Sequence, residues 1–269
     1  MTRDLENTAL ITGASSGIGA ITADRLAKRG HDLILVARNR ERLEKLSTRL
    51  HSETRRSIEV VVADLNDAGD RFRVEHVLGT NESITALVNN AGIGAPTALL
   101  DANVDRLEGL IDLNITALVR LTYAAVPGFL KRGGGAIINI ASVLGIAPEF
   151  YSGVYGASKA FVIAFSRSLH KEFSEKNIRV QAVLPGATAT GFFDVAGIQP
   201  QEVHSETVMN ADDMVDAALA GFDQKEFITI PSLPDIADWE AYEAARQNLM
   251  PKLSLSSPAA RYRVTTETR

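Results

Sequence analysis

Two hydrophobic periods share this chain. Short apolar runs stop at glycine, proline or a polar residue, and between them apolar side chains recur three and four residues apart. The runs Thr8–Thr12, Leu33–Ala37, Ile58–Ala63, Thr85–Asn89, Ala136–Ser142, Ile178–Leu184 and Phe227–Ile230 predict buried strands. The longer period predicts a helix from Gly17 to a stop at Gly30. It predicts a second after Asn39, with Leu43, Leu46 and Leu50 on one face, and a weaker one over Asp67–Leu78. Further helices are expected over Val104–Ile111, from Asn114 to Leu130, and over Tyr155–Phe173 and Asp212–Phe222.

Strands that are apolar throughout, rather than at every second position, are buried on both faces of a parallel sheet. Their alternation with helices implies βαβ units and right-handed crossovers. The expected fold is α/β: a doubly wound parallel seven-stranded sheet of Rossmann type with helices on both faces. One domain is expected over residues 1–269, with its core at about 8–230. From Pro231 onward the pattern changes. Pro231, Pro234, Pro251 and Pro258 punctuate a C-terminal appendage with one short helix around Trp239–Leu249, and Val264–Arg269 read as a disordered end.

Composition narrows the chemistry. Cysteine is absent, which excludes disulfides, thiolate metal sites and a cysteine nucleophile. The five histidines form no H-x-x-x-H pair, so no metal is expected. A net charge of −5 argues against nucleic acid as a partner. The polar, acidic start is not a signal peptide, and no uninterrupted apolar run approaches about 18 residues, so a cytoplasmic protein without a membrane partner is expected.

Two stretches carry candidate chemistry. The first strand runs into T-G-A-S-S-G-I-G at 12–19, with glycines at 13, 17 and 19. A tight glycine turn that opens a helix suits a pyrophosphate, because backbone N–H groups meet the phosphate without a side chain between them. At the end of the second strand stand Ala37 and Arg38. No acid is present there for a ribose 2′-hydroxyl, and a guanidinium and Ser15 are present for a 2′-phosphate, so the expected cofactor is NADP. Asp64, just past the third strand, is placed to hold an adenine amino group. The second stretch is Ser142–Lys159, which gathers a serine hydroxyl, a phenol at Tyr155 and an ammonium at Lys159. Tyr155 and Lys159 lie one helical turn apart. A cation near a phenol favours the phenolate, which makes the pair a candidate acid or base.

T-G-A-S-S-G-I-G, N-N-A-G at 89–92, Ser142, Y-G-A-S-K at 155–159 and P-G at 185–186 occur in this order. Together they resemble the short-chain dehydrogenase/reductase family, in its single-domain branch, over about Thr8 to Ile230. The resemblance implies hydride exchange between a carbonyl or alcohol substrate and NADP(H). It implies that Tyr155 is the acid/base, that Lys159 lowers its pKa and holds ribose hydroxyls, and that Ser142 polarises the substrate oxygen. Asn114 fits the family's fourth catalytic member, which anchors a water beside the lysine.

The resemblance also implies a cofactor cradle. It comprises Gly13, Ser15, Ser16, Gly17, Ile18, Gly19, Arg38, Asp64, Leu65, Asn90, Ala91, Gly92, Pro185, Gly186, Thr188 and Thr190, with Tyr155 and Lys159. Apolar residues around the serine (Val143, Leu144, Ile146, Phe150) and after Thr190 (Phe192, Phe193, Val195, Ile198) suggest a hydrophobic ketone, aldehyde or 3-oxoacyl substrate. Apolar stripes on the Asn114 and Tyr155 helices suggest a homodimer or homotetramer. The stretch L-M-P-K-L-S-L-S-S-P-A-A-R-Y resembles a subset of bacterial family members. Two other readings stay open: a non-catalytic NADP-binding sensor or scaffold, and an epimerase or dehydratase.

Overall fold

The computed structural model describes residues 7–94, 99–150, 153–190 and 205–262. Its sheet contains β1 Thr8–Thr12, β2 Asp32–Ala37, β3 Ile58–Val62, β4 Ile84–Asn89, β5 Gly135–Ile140, β6 Ile178–Val183 and β9 Ile228–Thr229. They lie in the order β3-β2-β1-β4-β5-β6-β9, all parallel. Side chains of a strand point alternately to the two faces. On β1 and β2, Ala9, Ile11, Leu33, Leu35 and Ala37 therefore join one core, and Leu10, Ile34 and Val36 join the other.

Helices cover both faces. The first core takes α1 Gly17–Lys28 and α2 Arg40–Thr54, through Ala23, Leu26, Leu43 and Leu50. The second takes α3 Ala68–Thr80, α5 Leu118–Lys131 and α6 Gly153–Phe173, through Val74, Leu78, Leu121, Ala125, Phe129, Leu169 and Phe173. Full burial of one such leucine or phenylalanine contributes about 1.5–3 kcal/mol. The fold is the Rossmann-type one that the strand pattern predicts.

The first core also receives α7 Ala211–Asp223, through Met214, Val215 and Leu219. A charge network ties its three helices: Arg25 reaches Asp212 and Asp216 of α7, and the buried Asp24 accepts from Lys28 and Arg49.

Three local features differ from the sequence pattern. α4 Val104–Ile111 does not end before the next helix. A π-helical turn, Asp112–Ala117, runs on into α5. No glycine or proline stands between Ile111 and Asn114 to stop it. The joined helix, Val104–Lys131, is long and apolar enough to cross a membrane by length and composition, which a search for uninterrupted apolar runs does not register. Its stripe of Leu118, Leu121, Ala125 and Phe129 is buried, the last three in the second core with strand residues, so that face packs inside the fold. Thirdly, β7 Thr188–Ala189 pairs in parallel with β8 Met209–Asn210 in a small separate sheet, which two-residue strands do not announce in sequence.

The chain divides into two compact units, Met1–Ser232 and Leu233–Arg269. The second contains α8 Ile236–Leu249, capped by Asp235, whose carboxylate accepts from the Ala237 N–H. Trp239 and Tyr242 stack within it at a centroid distance of 5.2 Å.

Candidate active site

Strand order reverses between β1 and β4. Such a switch point leaves a crevice outside the carboxyl ends of the strands. β1 ends there in the glycine turn. Gly13 and Gly17 hold φ of +66° and +52°, in the left-handed region. A Cβ on Gly19 would stand 2.4 Å from the Gly13 carbonyl oxygen. The Ser16 side chain does not cap α1, and its first turn carries no acid. Those first-turn N–H groups are therefore open to an anion.

The turn is clamped from β4. Asn90 Nδ2 donates to the Thr12 carbonyl at 2.9 Å and the Gly13 carbonyl at 3.3 Å. Thr12 Oγ1 accepts from the N–H groups of Asn90 and Ala91, both at 3.0 Å. The sequence alone gives Thr12 no role. Its partners lie 78 and 79 residues away, and the T-G pair at the strand end is the only local signal. Asn90 acts on the turn's own carbonyls. Leu65 is buried in the second core, and Ile18 is half-buried against the first.

Arg38 is exposed at the end of β2, with Nη1 3.8 Å from Asp64 Oδ2. Asp64 also accepts from the Asn66 N–H through Oδ1, at 3.0 Å. An exposed ion pair at that distance contributes little to stability. Both side chains are open to a ligand.

Ser142 lies two residues past β5, where it caps a 3-10 turn, Val143–Gly145. Its Oγ donates to the Pro185 carbonyl at 3.3 Å and accepts from the Leu144 N–H at 3.2 Å. It also shares a hydrogen bond with Tyr155, which brings the loop after β5 against α6. The phenol sits among Leu110, Ile93, Leu107, Leu144 and Val154. Lys159, one turn on, is buried, and its Nζ donates to the Ile140 carbonyl at 2.8 Å. The amine lies 5.7 Å from the Tyr155 ring centroid.

The expected lowering of the phenol pKa is not what this arrangement gives. Burial pushes Tyr155 up to about 12, and the hydrogen bond with Ser142 only partly opposes it. Burial pulls Lys159 down to about 8. Proximity of the two in sequence says nothing about solvent, and desolvation is the larger influence on both. At neutral pH the phenol is a proton donor.

Lys159 leads to a stability prediction. Between about pH 8 and its ordinary 10.5 the unfolded chain holds more protons at this site than the folded one, so the lysine's cost to folding fades as pH rises through that window. At 1.36 kcal/mol per unit the cost at pH 7 is about 3 kcal/mol. Replacing it with methionine also strands the Ile140 carbonyl, at about 1–2 kcal/mol. We expect Lys159→Met to raise the melting temperature at pH 7 by a few degrees, with the gain shrinking toward pH 9.5. Thermal melts of both proteins across that range check it; a gain independent of pH would contradict it.

Asn114 sits in the π-helical turn and is buried. Its Oδ1 accepts from the Ile93 N–H, and Nδ2 donates to the Ile93 carbonyl, both at 3.0 Å. Gly92 completes this corner, since a Cβ there would stand 3.1 Å from Asn114 Oδ1 and 3.5 Å from Lys159 Nζ. On the other side, the Thr188 hydroxyl donates to the Gly186 carbonyl at 3.1 Å. A Cβ on Gly17 would stand 3.3 Å from Thr190. Val143 and Leu144 are half-buried beside Ser142. The Phe150 side chain and Phe192, Phe193, Val195 and Ile198 lie outside the described residues, as does the expected substrate loop.

Known proteins share this fold. A short-chain dehydrogenase from Sphingobium yanoikuyae, solved in complex with NADPH, is 47% identical with a TM-score of 0.92, over 95% of this chain and 100% of that one. The bulky-bulky ketone specific alcohol dehydrogenase from Comamonas testosteroni is 45% identical with a TM-score of 0.87, over 95% and 98%. A very-long-chain 3-oxoacyl-CoA reductase from Anas platyrhynchos is 38% identical over 68% of this chain, which spans 60% of that relative. Residues 7–201 match the family model for short chain dehydrogenase, and the chain belongs to that family.

Proposed function

We propose that this chain is an NADP(H)-dependent oxidoreductase that interconverts a ketone carrying bulky apolar groups with its secondary alcohol. The observation that carries this reading is the joined set of Ser142, Tyr155 and Lys159, buried at the carboxyl edge of the sheet beside an uncapped glycine turn. The turn fits a dinucleotide: with no Cβ at Gly19 to meet the Gly13 carbonyl and Asn90, α1 packs close against the turn and its uncapped N–H groups face outward to a pyrophosphate. Gly13–Gly19 would hold the pyrophosphate, Arg38 and Ser15 the 2′-phosphate, and Asp64 with the Leu65 backbone the adenine. Gly92, Pro185, Gly186, Thr188 and Thr190 would border the nicotinamide end. The bound nicotinamide supplies or accepts a hydride.

The chain's own groups handle the oxygen. In reduction, Tyr155 Oη and Ser142 Oγ donate hydrogen bonds to the carbonyl oxygen. As negative charge develops there, Tyr155 gives up its proton and the product hydroxyl forms. The high phenol pKa suits a donor, and a lysine ammonium one turn away steadies the phenolate that remains. The apolar residues around the phenol, together with the ketone named for the Comamonas relative, support a bulky apolar substrate.

NADPH oxidation over a panel of ketones tests this reading. A ketone with bulky substituents on both sides should give a higher kcat/KM than acetone or a sugar. Tight NADPH binding with no turnover anywhere on the panel would instead favour a cofactor sensor. Cofactor choice has a separate measure. Wild type should prefer NADPH to NADH, and Arg38→Asp should lower kcat/KM for NADPH on the order of 100-fold by removing a charge-assisted contact and adding a repulsive one. A wild type that prefers NADH contradicts the assignment of Arg38.

A further inference from the structure

We propose that Ser158 is a positioning residue for proton transfer: its hydroxyl ties the Tyr155–Lys159 turn of α6 to Asn114 of the π-helical turn. The inference rests on the oxidoreductase reading above.

Ser158 is 1% exposed and stands between the two reactive side chains in sequence. Its Oγ donates to the Tyr155 carbonyl at 2.7 Å and accepts from Asn114 Nδ2 at 3.1 Å. Helix geometry assigns that same carbonyl to the Lys159 N–H. One oxygen therefore meets both the peptide that carries Lys159 and the hydroxyl that Asn114 holds. Asn114 has both of its N–H donors committed, to Ile93 and to Ser158. A continuous chain of hydrogen bonds runs from the loop after β4, through the π-helical turn, to the Tyr155 backbone. Among the described residues, the bond to Ser158 is the side-chain hydrogen bond that links Asn114 to α6.

The same helix contains its own control. Ser166 is equally buried. Its Oγ donates to the Val162 carbonyl at 2.7 Å and accepts from Asn139 Nδ2 at 2.9 Å. The two serines have matched chemistry and burial. They differ in what they hold: Ser166 fixes α6 to β5, and Ser158 fixes the reactive turn.

Removing Ser158 therefore loosens the placement of Tyr155 against the substrate oxygen, while removing Ser166 loosens only the helix. Misplacement of a reacting group by about 1 Å costs on the order of 100-fold in rate.

The test compares Ser158→Ala and Ser166→Ala in the full chain. It uses NADPH oxidation with the best ketone, NADPH binding by fluorescence, and thermal melts. Both variants should melt lower. Ser158→Ala should lose about 10- to 100-fold in kcat, with the NADPH Kd within about twofold of wild type, and Ser166→Ala should keep its kcat. Combined with Asn114→Ala, Ser158→Ala should add little further loss, because both break one chain of bonds. If Ser158→Ala does not fold, Ser158→Cys, which keeps a weak donor in the same place, should show a kcat between wild type and Asn114→Ala. Equal kcat values for Ser158→Ala and Ser166→Ala would overturn the proposal. A wild type that turns over no ketone would overturn the oxidoreductase reading, and this inference with it.

Discussion

Tyr155→Phe should lower kcat for ketone reduction by at least about 1,000-fold while NADPH still binds. General acid catalysis contributes roughly 10²–10⁴-fold, and one donor to a developing oxyanion contributes about 10²–10³-fold. The phenol supplies both through one oxygen, so the loss falls at the upper end of the first range. The fold should tolerate the change. Tyr155 is buried among Leu110, Ile93, Leu107, Leu144 and Val154, where a phenyl ring fits. Ser142 keeps its bonds to the Pro185 carbonyl and the Leu144 N–H, so no buried hydroxyl is stranded.

The sign of the pH dependence separates this role from a merely structural one. Burial pushes the phenol up to about 12. In the proposed mechanism reduction uses the protonated phenol, so this group should impose no fall in rate between pH 6 and 8. In the same mechanism oxidation of the alcohol uses the phenolate, so its rate should climb across pH 7 to 10. Both directions should vanish in Tyr155→Phe. Steady-state rates in each direction, with NADPH affinity by fluorescence, decide it. A variant within tenfold of wild-type kcat would remove Tyr155 from the reaction.

How far the sequence carries this picture depends on the range of each interaction. The six strands β1 to β6 fall within two residues of their predicted bounds, because each apolar run is closed by a local punctuation mark such as Gly13 or Pro185. Glycine positions in the turn were equally legible, since their signal is the absence of a side chain. What local pattern cannot show is who meets whom. The Thr12–Asn90 clamp spans 78 residues, and the Asn114–Ser158 bond spans 44. The π-helical turn has no composition of its own, so D-L-N-I-T reads as ordinary helix. Spacing alone led to a lowered phenol pKa, and burial, which only the folded chain reveals, reversed the direction. The position of Leu65 just past β3 does not announce that its side chain is buried in the second core.

Gly19→Ala should abolish NADPH binding at micromolar cofactor and lower the melting temperature, although alanine is the better helix former by about 1 kcal/mol. Contact decides against it. The added Cβ would stand 2.4 Å from the Gly13 oxygen, 2.5 Å from Asn90 Nδ2 and 2.9 Å from the Gly13 carbonyl carbon. Neither neighbour can withdraw cheaply. Gly13 sits at φ +66°, where its carbonyl direction is set by the turn. Asn90 Nδ2 is committed to the Thr12 and Gly13 carbonyls, and Thr12 Oγ1 holds the Asn90 and Ala91 backbone from the other side. The strand-to-helix turn has to open, at about 1–3 kcal/mol of strain. Opening also moves the α1 N–H groups off the phosphate, and a loss on the order of 100-fold in affinity follows.

Gly79→Ala is the matching control. It lies within α3, has nothing within 4 Å of its would-be Cβ, and should gain up to about 1 kcal/mol from helix propensity with NADPH binding unchanged. Fluorescence titration and thermal melts of both variants check the pair. NADPH affinity in Gly19→Ala equal to that of Gly79→Ala would mean that the turn is not where the dinucleotide binds.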